Sequence, residues 1–184
     1  AEQRLKMEPL VFAKVGGETS TKYRVLVKKG TFASIDSLKG KILTGNMVVD
    51  AVYLTKVVFK GAVEAASHFV LKQKTRPLRA IRKVARGKAD AALVDSLQFD
   101  SLKELGVFAK LEVIFTSEAV PNLGLIYVKG GAKEGDVAIF RDALIKMCGD
   151  PEGKEICKTF GLEGFVGVDA KALQATRSLY GAGN

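Results

Sequence analysis

The stretch from Pro77 to Ser96 limits the fold more than any other. Leu78, Ile81 and Val84 recur at helical spacing after Pro77, and Gly87 stands where a helix would stop. The segment KADAALVDS follows, with a short apolar run that halts at Asp95-Ser96. So short an apolar run reads as a buried strand. A helix feeding directly into such a strand predicts an α/β fold with a mostly parallel sheet. In these sheets ligands bind beyond the carboxyl ends of the strands, where Asp95 and Ser96 are placed.

The rest of the chain follows the same grammar. AEQRLKMEPL reads as the last turns of a helix entering a strand, with Pro9 as the break. LVFAKVGG and KYRVLVKKG read as strands, the second with Tyr23, Val25 and Val27 on one face. SIDSLKG gives a short helix and KILTG a strand. NMVVDAVYLTKVVFKGA is long enough for a buried helix that Asn46 would cap. HFVLKQ is a strand, SLQFDSLKELG a helix, and LEVIFTSEAVPNLGLIYVKGG two strands around Pro121. KEGDVAIFRDALIKMCGD places Val137, Phe140, Leu144 and Met147 on one helical face, Pro151 opens another helix, and DAKALQATRSLYG closes the chain.

Three strand ends are polar: Thr44-Gly45-Asn46, Gln73-Lys74-Thr75 and Asp95-Ser96. The candidate ligand-binding residues are therefore Thr44, Gly45, Asn46, Lys74, Thr75, Asp95 and Ser96. Helix starts offer free backbone N–H groups and a positive dipole end, which favour an anion. Lys74, Thr75 and Arg76 read either as an anion clamp or as a solvated turn. Arg79, Arg82, Lys83 and Arg86 form a basic stripe, ordinarily a solvated outer face. Asp95 either meets a ligand or only caps the helix after it.

The 184 residues carry a net charge of +9, from 29 Lys and Arg against 20 Asp and Glu. These cations are scattered, with no aromatic-rich run among them, so a small anionic ligand fits better than nucleic acid. One histidine, His68, and two cysteines, Cys148 and Cys157, are too few for a zinc site, and no metal or cofactor is expected. No phosphate-binding G-x-x-x-x-G-K-[ST] loop, dinucleotide-binding G-x-G-x-x-G turn or G-x-S-x-G nucleophile elbow occurs. Asp90 and Asp95 lie five apart on a strand, point to opposite faces and cannot form a catalytic dyad. Tyr53 and Phe59 are expected in the core. No catalytic residues are expected, and no 18-residue apolar span exists.

YRVLVKKGTFASIDSLKGKIL, AIRKVARGKADAALVDSLQFDSL, VIFTSEAVPNLGLIYVKGG and FRDALIKMCGDPEGKEICKTFGLEGFVGVD follow one another in a familiar order. Together they resemble the phosphate, phosphite and phosphonate substrate-binding proteins of ABC importers. The resemblance implies a type 2 periplasmic-binding-protein-like α/β fold, with one complete lobe and part of a second. Residues 1–32 would supply part of lobe 1 and the first crossover strand, 33–112 lobe 2, and 113–184 the return crossover and the closing helices of lobe 1. It implies a non-enzymatic exported protein of the periplasm or cell envelope that captures a small anion in an interlobe cleft and delivers it to a membrane ABC permease. A ligand-sensing domain or an enzyme on the same fold is the alternative, with a basic nucleic-acid binder behind both. Two departures stand out. The chain starts near the end of the family's first β-α-β-α unit, so unpaired strand edges and self-association are expected. Thr44-Gly45-Asn46-Met47 also stands where the family carries a Ser/Thr-rich anion loop. Cys148 and Cys157 read either as two buried thiols or as a disulfide; they lie on consecutive helices joined by the short GDPEG turn, close enough to bridge, and an exported chain would favour the bond.

Overall fold

The computed structural model describes residues 6–74 and 76–180. Two compact units share the chain: unit 1 holds Ala1–Ser20 and Pro121–Gln174, and unit 2 holds Thr21–Val120 with the chain from Ala175. The chain passes between them in β2 (Ser20–Thr21) and β8 (Val120–Pro121), which pair as a two-stranded ribbon.

Unit 2 is a five-stranded sheet in the order β5-β4-β6-β3-β7, built from β3 (Arg24–Lys28), β4 (Ile42–Gly45), β5 (Val70–Gln73), β6 (Ala91–Val94) and β7 (Leu111–Thr116). β4 runs parallel to β5 and β6, whereas β3 is antiparallel to β6 and β7. The pleat divides the apolar runs between two faces. Val25, Val27, Leu43, Ala91 and Leu93 enter one core with Leu54, Val57, Val58, Phe59 and Phe69. Leu26, Ala92 and Val94 enter the other with Ile81, Val84 and Leu102. That double burial is why AALV carries no polar residue.

The helices of unit 2 are α1 (Ala51–Tyr53), α2 (Ala65–His68), α3 (Pro77–Ala85) and α4 (Ser96–Lys103), and α1 continues into a π turn over Leu54–Val58. Phe59 is buried as expected, and Tyr53 packs partly buried against the same core. His68 is structural: its Nε2 lies 3.0 Å from the Ile35 carbonyl, and its ring meets Phe69 edge-on.

Unit 1 is an antiparallel sheet in the order β10-β1-β9, with β1 (Met7–Lys14) central between β9 (Gly124–Val128) and β10 (Gly164–Val166). Three helices accompany it: α5 (Glu134–Met147), α6 (Pro151–Thr159) and α7 (Ala170–Tyr180), of which α7 extends past the unit's limit at Gln174. Its buried cluster is small: Leu10, Val11 and Leu144, with Tyr127, Val137 and Phe165 packed against them, and Phe12, Ala13 and Cys157 are buried outside it. A disulfide joins Cys148 to Cys157 at a Cα separation of 5.8 Å, so the expected bridge is present. β9 is an edge strand with Leu125, Ile126 and Val128 exposed.

Several expectations are corrected. The lobe limits placed at 32/33 and 112/113 fall instead at Ser20/Thr21 and Val120/Pro121. The reason is pairing: Arg24–Lys28 is hydrogen-bonded between β6 and β7, so the second strand belongs to unit 2, not lobe 1. Pro9 does not break a helix; it lies within β1 beside a register shift, where a residue without an N–H is tolerated. The helical turns expected at the amino end fall partly on residues 1–5, outside the described residues, and from Met7 the chain is strand. The helix after β4 starts at Ala51, and Asp50 caps it rather than Asn46. Leu78 and Phe140 are exposed at 36% and 56%, outside the buried faces assigned to them.

Candidate functional site

Because β5, β4 and β6 are parallel neighbours, their carboxyl ends lie along one edge of the unit 2 sheet. Gly45 is aligned with Gln73, and the Lys74 N–H donates to the Gly45 carbonyl at 2.8 Å, which ties the ends of β4 and β5. The ends of β4 and β6 are joined by Gln98, whose Nε2 donates to Asn46 Oδ1 at 3.2 Å and to Asp95 Oδ2 at 2.8 Å.

Asp95 is the N-cap of α4: its Oδ1 accepts from the Gln98 N–H at 2.8 Å. Burial pushes its carboxyl above the ordinary carboxylate range, and hydrogen bonds from the Gln98 and Leu97 backbones pull it partly back. Gln98 spends its amide nitrogen on the two acceptors, and its Oε1 is buried with no donor. Ser96 is turned inward: its Oγ accepts from the Lys22 N–H at 3.0 Å, and its own N–H donates to Thr21 Oγ1 at 3.1 Å. The Arg24 guanidinium approaches Ser96 Oγ at 3.4 Å and stacks over Phe99 at 4.3 Å from the ring centroid. Tyr23 and Tyr53 meet edge-on at 6.2 Å and share a hydroxyl hydrogen bond. Burial raises both phenols, and the Asp95 charge adds to the effect on Tyr23.

The seven sequence-predicted residues therefore part ways. Asn46 and Asp95 are joined through Gln98. The Thr44 hydroxyl is committed to the Lys72 carbonyl at 2.8 Å, and Gly45 fills its place because a Cβ there would stand 2.6 Å from the Leu93 carbonyl oxygen. Ser96 anchors the entry to β3. Lys74 lines a separate cavity with Arg76, Arg79 and Lys83, and Thr75 lies outside the described residues. Gln98, Tyr23, Tyr53 and Arg24 join the site only in three dimensions. Of these Gln98 had a signal: D-x-x-Q is the capping-box spacing. Among the described residues no cluster of His, Cys, Asp or Glu is arranged to hold a metal, and no helix is long and apolar enough to cross a membrane.

The Asp95 environment yields a pH prediction. Its folded-state pKa is raised above the unfolded value, so stability falls as pH climbs from the ordinary carboxylate pKa through the raised one. Asp95→Asn keeps a competent N-cap and removes the buried charge. We expect its melting temperature to exceed that of the wild type at pH 7, with the two curves converging below about pH 4. Equal melting temperatures at pH 7 would show that the buried charge costs the fold nothing.

A family model for the periplasmic substrate-binding protein of phosphonate ABC transporters matches residues 1–173. The chain belongs to that family. Several solved structures share its fold at low identity. XAC2383 from Xanthomonas citri, bound to chloride ion, superposes with a TM-score of 0.75 at 15% identity, over 95% of this chain and 69% of its own. A binding protein component of an ABC phosphonate transporter from Pseudomonas aeruginosa gives 0.68 at 18% identity, over 94% of this chain and 61% of its own. PhnD1 from Prochlorococcus marinus, in complex with methylphosphonate, gives 0.63 at 15% identity, over 93% and 70%. The fold of this family member is thus that of type 2 periplasmic binding proteins, and it spans roughly two thirds of these structures' length. No curated protein matches its sequence.

Proposed function

We propose that the chain is the solute-capturing component of an ABC importer and holds a small phosphoryl or phosphonyl anion at the carboxyl-end edge of the unit 2 sheet. Capture involves no bond making. The loaded protein, exported to the periplasm or cell envelope, presents its solute to a membrane permease. Family membership supports the role, and one observation supports the place: a desolvated Asp95 carboxylate beside a buried Gln98 Oε1 that no donor reaches. A fixed acceptor that lacks a donor, Gln98 Oε1, beside a carboxylate with lone pairs to spare suits a solute carrying an O–H or N–H, such as a protonated phosphoryl oxygen or an amine. Keeping a buried carboxylate against the stability of the fold is the usual mark of a working site. The open edge of β9 also suits association between copies, which would appear as a mass that rises with concentration.

Calorimetric titration with phosphate, methylphosphonate and an aminoalkylphosphonate tests the reading. At least one should bind, and Asp95→Asn should weaken it by about tenfold or more, the value of one charge-assisted hydrogen bond. Binding at full strength by the variant would move the solute elsewhere, and no binding of any of the three would remove the role.

A further inference from the structure

Helix starts in this chain have a usual solution. Asp50 caps α1, Asp95 caps α4 and Asp150 caps α6, each accepting from a backbone N–H of the first turn, and Asp169 accepts from the first N–H groups of α7. α3 breaks the rule. Its N-cap is Arg76, no side chain caps it, and its first turn has no acid. Cations at a helix start work against the backbone dipole. Residues 72–88, KQKTRPLRAIRKVARGK, contain no Asp or Glu at all.

The consequence is a cavity of about 250 Å³ lined by Lys74, Arg76, Arg79 and Lys83. No carboxylate lines it, and none of the four cations forms an ion pair among the described residues. Arg76, Arg79 and Lys83 are three and four residues apart, so their like charges share a face and repel. A solvated basic face needs neither a cavity nor the loss of the helix cap. An anion in the cavity relieves both the repulsion and the uncapped start. One phosphate or phosphonate dianion would leave two of the four positive charges unmatched, whereas a condensed phosphate brings several charges and two separated oxygen sets for bidentate Arg contacts.

We propose that this cavity binds a condensed phosphate, an anion with at least two linked phosphoryl groups, and that the solute of this protein carries such a group. The proposal rests on the solute-capture reading only in taking the anion to be the solute. A pocket of about 250 Å³ suits a small anion better than an acidic protein surface.

The test is titration of pyrophosphate and orthophosphate into the wild type, the double variant Arg79→Gln/Lys83→Gln, and Asp95→Asn. In the wild type, pyrophosphate should bind about tenfold or more tightly than orthophosphate, and this preference should shrink as salt is raised. The double variant should lose the preference and melt no lower than the wild type, because two mutually repelling charges have gone. Equal affinity for the two anions, no pyrophosphate binding by the wild type, or an undiminished preference in the double variant would each overturn the cavity assignment. Pyrophosphate lost in the double variant but unchanged in Asp95→Asn would leave the cavity standing and remove only the strand-edge site.

Discussion

Reduction of the Cys148–Cys157 disulfide is expected to lower the melting temperature of unit 1 by roughly 10–20 °C and to leave that of unit 2 where it was. The bond closes a short loop, with nine residues of sequence separation, and in the chain-entropy account such a loop contributes about 2–3 kcal/mol. Unit 1 has little else to draw on. Its buried cluster is Leu10, Val11 and Leu144, and Leu123, Ile126, Ile139 and Phe160 are more than half exposed. Unit 2 has two buried clusters, one on each face of its sheet, and contains no cysteine. Calorimetry with and without a thiol reductant should show two transitions, of which only the lower moves. A single transition moving as a whole would mean that the two units unfold as one.

Gly45→Ala is expected to destabilise unit 2 by about 3 kcal/mol, the upper end for overpacking, and to remove solute binding with it. β4 lies between β5 and β6, so Gly45 has strands on both sides. An added Cβ would stand 2.6 Å from the Leu93 carbonyl oxygen, which is backbone and cannot swing away. β4 and β6 would have to separate where Asn46, Gln98 and Asp95 connect them. Gly106→Ala is the control: a Cβ there meets nothing within 4 Å, and its cost should be small. Urea unfolding of both variants checks the contrast; similar midpoints would mean that β4 relaxes freely.

The sequence was most legible where one local rule decided the outcome. AALV reads as a buried strand because no polar residue interrupts it, and β6 lies mid-sheet with both faces covered. Pro77 and Gly87 bracket α3 because one fits a first turn and the other takes a φ of +69° after the last. Reading failed where distant partners decide. Nothing local says that Arg24–Lys28 will be drawn between β6 and β7, so the lobe limits were misplaced. Asn46 and Asp50 are both good caps, but the chain bends at Asn46 and Met47 and turns at Val48 and Val49, with Val48 buried, before Asp50 caps the helix. Among the candidate residues, position at a strand end was readable but side-chain direction was not. Thr44 and Ser96 have the right chemistry and spend it on the Lys72 and Lys22 backbones.

The central place of β1 in unit 1 bears on how the chain is made. Phe12 must find Gly124 on one side and Val166 on the other, and both leave the ribosome long after it. Everything unit 2 needs for its five-stranded sheet lies in between, so that sheet can close while β1 still waits. Closing such long loops is an entropic cost that slows folding. At bacterial to eukaryotic synthesis rates of about 5–20 residues per second, β1 spends several seconds with both edges bare. Pro9, with no N–H to offer a stray strand, blunts one of those edges during the wait.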